Sequence, residues 1–407
     1  MSEIVSSSKP RLNPALVPDE DRLAIGKAIT GFAMDLYREL GAADKNLFFS
    51  PYGISVALAM TYAGARGVTA TEMAETCHFP LPQDRFHQAV GAFETRISNR
   101  LWHQVTGPNG KLYSVRPRLE IVNAMWGQWD GNVKMEFLDV LAESYGANLN
   151  PMNFAQDAEA ARHAINESIS GATRGRIRDL IPAGTITPLA RLILTNAIYF
   201  YDDWREPFED WRTQDDLFFR LDGSSVSVPL MFRSEHLEYA DGDGWQAVAL
   251  PYKTPGMSML IIKPALGQFA RFGDNLNVAG LGSLIDGMRS TEIDLTMPRF
   301  KFDAEFGLRD TLSDMGMPLS FTDGADFSGI SPEPLFQISD VIHKAFISVD
   351  ETGTEAAAAT GMMVPVGAIP TITEIVEMKL DRPFIFMIRD EYSDSILFMG
   401  SVMDPAA

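Results

Sequence analysis

At 407 residues the chain is long enough for one large domain or two ordinary ones, and 46% hydrophobic with 22% charged residues makes it globular, not disordered. A net charge of −20, from 34 Lys and Arg against 54 Asp and Glu, argues against a nucleic-acid or anionic-membrane partner, because phosphate binding needs clustered cations. The single cysteine, Cys77, rules out an internal disulfide, and no apolar run approaches the ~20 residues of a membrane-spanning helix.

Residues 1–19 are polar and proline-containing and are expected as a flexible N-terminal arm, with 20–407 as a single domain. The arm lacks the apolar centre of a secretory signal, which leaves open a cytoplasmic protein or a secreted one whose signal was removed. Leu23, Ile25, Ile29, Phe32, Leu36 and Leu40 fall largely at helical spacing, and Gly41 is placed to stop that helix. Asn46 to Pro51 reads as a short buried strand entering a turn. Ile54 to Gly64 is apolar and alanine-rich, a helix that needs burial on most sides and is expected beneath a sheet. Thr69 and Glu72-Met73 open another helix, with Cys77 near its end as a packed thiol.

Gly107 to Gly110, Gly-Pro-Asn-Gly, reads as a hairpin turn and lacks the Gly-Lys-Ser/Thr of a phosphate loop. Ile121 to Gln128 is a strand, and Ala158 to Ser170 a helix with Ala161, Ile165 and Ile169 on one face. Leu192 to Phe200 is a strongly apolar strand. Val226 to Met231, Ala247 to Tyr252, Met257 to Lys263 and Ile293 to Phe302 are further strands, and Leu308 to Met315 is a helix. Helices early, many antiparallel strands late and no βαβ repeat predict the α+β class in one extended domain.

The stretch from Ala345 to Met378 resists a single reading. A strand-like run to Val349 meets an acidic turn at Asp350-Glu351, then a run of very small residues, then an apolar and β-branched segment with two prolines. One reading is a short helix with Thr354 as N-cap and Gly361 as stop. Another uses period two: Thr354, Ala356, Ala358, Thr360, Met362, Val364 and Val366 form an uncharged face such as a strand turns to a core. Solvent loop, helical turn and strand stay open, and a sequence permissive of two states is what a conformational switch needs.

No His-Glu-x-x-His, Gly-x-Ser-x-Gly or Cys-x-x-Cys occurs, so zinc-protease, hydrolase and metal-finger readings lack their motifs. No catalytic residue, metal or cofactor is expected. His343, among Val341, Ile342 and Ala345, reads as a hydrogen-bonded core residue of a strand. Asp19-Glu20-Asp21 and Asp202-Asp203 read as solvated turns.

Glu351-Thr-Gly-Thr-Glu-Ala-Ala-Ala-Ala-Thr360 resembles the hinge of the reactive-centre loop of an inhibitory serpin. His343-Lys-Ala345 before it, and Arg382-Pro-Phe384 and Leu397-Phe-Met-Gly400 after it, are similar to the family's flanking strands. Asn166 with Thr173 and Gly175, Leu250-Pro-Tyr-Lys253, Pro298-Arg-Phe-Lys301 and Ala325-Asp-Phe-Ser-Gly329 extend the match from about Leu23 to Pro405. The resemblance implies the serpin fold: a mixed central β-sheet with two further sheets, about eight to nine helices, and an exposed reactive-centre loop at about residues 351–378. It implies a hinge of Glu351, Gly353, Thr354, Glu355, Ala356, Ala357, Ala358, Ala359 and Thr360. It implies a polar cluster under the central sheet, the shutter, formed by Ser50, Pro51, Asn196 and His343, and a tryptophan, Trp204, at the breach where insertion begins. Three sites depart from the family pattern: Gly53 replaces a serine, Tyr201-Asp202 replaces Lys-Gly, and Ser168 stands where the family often has tryptophan.

The implied activity is suicide-substrate inhibition of a serine protease, with the cleaved loop entering the central sheet as a new strand while the acyl-enzyme is trapped. The partner would be a serine protease in a covalent complex, with the chain a monomer and not an enzyme. Counting along the loop as in the family places the scissile bond at Gly367-Ala368, with Val364, Val366, Ala368 or Ile369 as alternatives for the residue before the cut. These are small or β-branched, so elastase-like or subtilisin-like targets are expected. The alternative is a non-inhibitory serpin acting as a binding or storage protein; the uninterrupted small-residue hinge argues against it.

Overall fold

A computed structural model of the chain describes residues 6–41, 45–100, 103–106, 112–115, 118–128, 132–332, 336–354 and 375–407. Among these, nine α-helices occur: α1 Asp19–Leu40, α2 Pro51–Tyr62, α3 Gly67–Thr76, α4 Gln83–Arg100, α5 Met135–Val140, α6 Ala158–Ala172, α7 Phe269–Asn275, α8 Val278–Asp286 and α9 Arg309–Asp314. The strands of the first half are β1 Leu47–Phe49, β2 His103–Thr106, β3 Leu112–Val115, β4 Arg118–Gln128, β5 Leu149–Met152, β6 Leu192–Asp203 and β7 Gln214–Phe219. Then follow β8 Ser225–Gly242, β9 Trp245–Pro251, β10 Met257–Pro264, β11 Arg289–Pro298, β12 Phe300–Gly307, β13 Ile338–Val349, β14 Gly353–Thr354, β15 Val376–Lys379, β16 Phe384–Asp390 and β17 Ser395–Val402. No described helix is long and apolar enough to cross a membrane.

Helix α2 is buried at every residue, as its mostly apolar, alanine-containing sequence leads one to expect, and it packs against β4, β6 and β17. Pro51 at its first turn and the Ser50 hydroxyl, which accepts from the Gly53 N–H at 2.9 Å, start it. Helix α1 ends at Gly41, which takes φ 61°. Asp21 within α1 is not a solvated turn residue. It is buried and held by Arg85 at 2.6 and 3.2 Å. The sequence reading passes over α4, although Phe86, Ala89, Val90, Phe93 and Ile97 mark its buried stripe. Cys77 is buried after α3, and burial raises its thiol pKa.

Of the residues expected as a flexible arm, those described from Ser7 to Val17 lie against the body. The Ser7 hydroxyl donates to Asp139 at 2.6 Å, and Lys9 pairs with Asp139 and Glu143. The Leu12 N–H donates to the Glu143 carbonyl, Arg11 bonds Glu94 at 2.9 Å, and Val17 is buried. Specific pairs of this kind are invisible to a reading based on polarity.

The central sheet has the order β12-β13-β14-β6-β4-β5, and β13 also pairs directly with β6, in parallel. The other large sheet runs β1-β17-β16-β10-β9-β8-β11-β15, with β7 beside β8. The two further sheets expected from the resemblance run into one another through the long strand β8. One edge of β8 takes β7 and then β9, and the other takes β11. β2 and β3 pair as the arms of the expected hairpin, whose turn, 107–110, lies outside the described residues. Strands β16 and β17 are buried throughout, and β17 pairs with β1 across almost the whole chain, Leu47 opposite Ser401.

One expected strand is in fact two. Residues 293–302 divide at Arg299: β11 ends at Pro298 beside β8, and β12 starts at Phe300 beside β13 in the central sheet. The Arg299 N–H bonds the Pro229 carbonyl at 3.0 Å, so the chain changes sheet there.

Candidate functional site

The middle of the central sheet holds a buried polar chain. In the β6–β13 pairing Asn196 stands opposite His343, and in the β4–β6 pairing Asn123 stands opposite Asn196. The Ser50 N–H donates to His343 Nε2 at 3.2 Å, so that nitrogen carries no hydrogen and Nδ1 donates to Asn196 Oδ1 at 2.6 Å. Asn196 Nδ2 donates in turn to Asn123 Oδ1 at 2.5 Å, and the Ser50 hydroxyl donates to the Leu397 carbonyl at 2.7 Å. The imidazole is fully buried, and burial pushes its pKa down to about 3, so it is neutral at ordinary pH. Ser50, Pro51, Asn196 and His343 are thus brought together. Gly53 has a geometric reason: a Cβ there would come within 2.5 Å of the Asn196 amide. Asn123 was missed by sequence reasoning, because its register opposite Asn196 is set by the β4–β6 pairing and leaves no local mark in the sequence.

The head of the same sheet is built differently. Above Phe346 and Tyr199 the strands β13 and β6 part, and β14 stands between them. Thr354 pairs with Val349 on one side and with Asp202 on the other, and Gly353 pairs with Asp203. Of the readings left open for this stretch, the described residues take the strand. A Cβ on Gly353 would meet the Asp202 carbonyl oxygen at 2.3 Å, so only glycine permits this approach. Thr354 is buried, and its hydroxyl bonds the Tyr252 hydroxyl at 2.8 Å.

Trp204 closes this end. It is fully buried, its N–H donates to the Thr352 carbonyl at 2.9 Å, and its Nε1 donates to the Asp350 carbonyl at 3.0 Å. Its ring stacks on Tyr252 with centroids 4.6 Å apart. Below Trp204 the Asp350 carboxylate accepts the Thr352 N–H at 2.9 Å, and the Asp350 N–H donates to the Gly353 carbonyl, a tight turn that points the chain into the sheet.

Charge is buried here as well. The Glu351 carboxylate, 4% exposed, accepts from Arg299 Nε at 2.7 Å, from Arg299 Nη2 and from the Thr213 hydroxyl, while its carbonyl accepts the Phe208 N–H. Glu351 in turn raises the pKa of Arg299. Asp202 is not a solvated turn residue but a buried member of β6. Its carboxylate takes the Thr254 N–H at 3.2 Å, and burial pushes its pKa up to about 7. Its neighbour Asp203 does reach water and pairs with Lys253 at 2.8 Å.

Of the expected hinge, Glu351, Gly353 and Thr354 are placed as described. Glu355, Ala356, Ala357, Ala358, Ala359 and Thr360 lie outside the described residues, as do Val364, Val366, Gly367, Ala368 and Ile369. Arg299, Thr213, Tyr252 and Asp202 were not singled out from sequence as hinge contacts. Pro298-Arg299 was at hand as a motif, but its pairing with Glu351 spans 52 residues and leaves no local trace.

Comparison with known proteins gives a family match over residues 27–405, to the model described as Serpin (serine protease inhibitor). An uncharacterized serpin-like protein of Thermococcus kodakarensis is 39% identical over 93% of this chain and 85% of its own length. Among solved structures, the thermophilic serpin tengpin in its native state superposes with TM-score 0.83 at 26% identity, covering 97% of both chains. Human thyroxine-binding globulin, in complex with thyroxine, superposes with TM-score 0.80 at 27% identity over 94% of this chain and 99% of its own.

Proposed function

The chain belongs to the serpin family, whose members are generally protease inhibitors and not catalysts, and we propose that it is a suicide-substrate inhibitor of serine proteases with elastase-like or subtilisin-like specificity. The observation that carries this reading is Thr354, already extended and buried between β6 and β13 at the head of the central sheet. The next residues on that face, Ala356, Ala358 and Thr360, are small and uncharged, so nothing in their chemistry opposes continued entry of the strand.

On this reading the protease serine attacks the loop carbonyl and forms an acyl-enzyme. The freed loop then zips between β6 and β13, dragging the tethered protease with it. Around a dozen new backbone pairs at roughly 1 kcal/mol each are available to drive this. On this reading the scissile bond is Gly367-Ala368, with Val364, Val366, Ala368 or Ile369 as the alternatives before the cut. Trypsin-like enzymes need a cation before the cut, and none occurs between Glu351 and Met378.

Incubation with an elastase-like serine protease followed by denaturing electrophoresis tests the proposal. A stable band at the summed mass is expected, with the released C-terminal peptide giving the bond cut. Likeness to thyroxine-binding globulin keeps a second reading in view, a serpin that binds a ligand instead of trapping a protease. Clean cleavage without the covalent band would favour that reading, and cleavage only after Arg or Lys would overturn the specificity.

A further inference from the structure

Away from the central sheet, a cavity of about 370 Å³ opens between the β8–β9 turn, the end of β10 and the segment leading into β16. Its walls carry two aromatic rings, Tyr239 and Trp245, and two cations, Lys263 and Arg382. The rings are held in place. The Tyr239 hydroxyl accepts from Gln246 Nε2 at 3.1 Å, and the Trp245 ring lies 6.5 Å from Phe272.

The cations are only partly spent. Lys263 gives a hydrogen bond to the Lys379 carbonyl at 3.0 Å, and an ammonium has two further donors to offer. Arg382 turns its Nε to Asp381 at 2.9 Å, and the rest of its fork is available to the cavity. Burial lowers the pKa of Lys263, and the nearby Arg382 lowers it further, against weaker support from Asp381 and Glu377. Two like charges therefore share a half-buried space next to aromatic surface. Asp241, which also lines the cavity, is exposed.

We propose that this cavity binds a small aromatic anion, one or two fused rings bearing a carboxylate or sulfonate, with the ring against Trp245 and Tyr239 and the anion on Lys263 and Arg382. A volume of this size suits such a ligand, and its mixed lining offers aromatic faces for a ring and convergent cations for an anion. Charge-assisted bonds from a planar guanidinium and an ammonium select a carboxylate over a neutral isostere. The inference does not depend on the inhibitor reading, because none of these residues belongs to the hinge, shutter or breach.

Calorimetric titration of the full chain with 1-naphthoate tests it. Saturable binding is expected with a dissociation constant on the order of 10–100 µM, and the neutral 1-naphthamide is expected to bind about ten-fold more weakly. K263M and R382M should each weaken 1-naphthoate about ten-fold while leaving 1-naphthamide nearly unchanged, and K263R should restore the anion preference. W245A should weaken both probes. Should K263M fail to fold, by far-UV circular dichroism, R382M carries the same test. No saturation by about 1 mM, equal affinity for the two probes, or unchanged 1-naphthoate affinity in the cation variants would overturn the proposal.

Discussion

The middle and the head of the β6–β13 seam lie on the same pair of strands but are built on opposite terms. In the middle the strands pair with each other, and the buried polar atoms of Ser50, Asn123, Asn196 and His343 satisfy one another without a charge. At the head the strands are held apart by two residues, and the buried groups include the carboxylates of Asp202 and Glu351. A neutral, matched network costs little to keep closed, whereas a buried carboxylate is costly unless paired, as Glu351 is by Arg299 and Thr213. The difference teaches where the seam is already open and what must part for it to open further. On the proposed insertion, the pairs to yield run from Phe346–Tyr199 downward, and the Asn196–His343 bond crosses the seam between them and β13's start.

The largest effect expected is loss of trapping. Thr354→Arg puts a cation into a buried position beside Tyr252, so strand entry should stall and the protein should be cut as a substrate. The covalent band with protease should vanish, and its persistence in full would break the link between the head of the seam and inhibition. Next comes the middle. His343→Ala leaves the Ser50 N–H and Asn196 Oδ1 without partners and should cost about 2–4 kcal/mol, read as a lower urea midpoint.

The two regions should also respond oppositely to pH. Asp202, raised to about 7 from an unfolded value near 4, contributes stability that is complete below that unfolded value and lost as pH rises through about 7. His343, lowered to about 3, contributes stability present above about 6.5 and lost as pH falls through about 3. Asp202→Asn should therefore remove a preference for pH 5 over pH 8 on the order of 2–3 kcal/mol, visible as the difference between the two proteins' urea midpoints at those values. Identical pH profiles would show that the head carries no such charge. The smallest effect belongs to the solvent side of the head: Lys253→Ala breaks a partly exposed pair with Asp203 and should change stability by no more than about 0.5 kcal/mol in the same titration.

Much of this was legible before any coordinates. Helices α1, α2 and α6 announced themselves by apolar period and stop signals, and the shutter residues and the turn into the hinge stood in recognisable motifs. What was hidden was mainly long-range. Arg299 and Thr213 meet Glu351 only because the chain changes sheet at Pro298-Arg299, and an alternating run read as one strand concealed that change. Asp21 and Asp202 were misread because acidic pairs usually face water; each here has a specific donor, Arg85 or the Thr254 N–H. Helix α4 is a different case, since its stripe from Phe86 to Ile97 was present in the sequence and was passed over.

The pairing of β1 with β17 bears on how the polypeptide comes off the ribosome. Residues near the beginning wait for those near the end: Asn46 bonds the backbone of Met403 and Asp404, Thr30 the Asp394 carbonyl and Ser50 the Leu397 carbonyl. Helix α2 can form early, but its largely apolar surface has no complete cover until β17 is synthesised. Contacts of such sequence separation make folding slow and leave a nascent intermediate with exposed greasy surface, a substrate for chaperones. A short deletion at the C-terminal end should therefore be felt first in the yield of soluble protein, well before any effect on the loop at the opposite end of the molecule's working cycle.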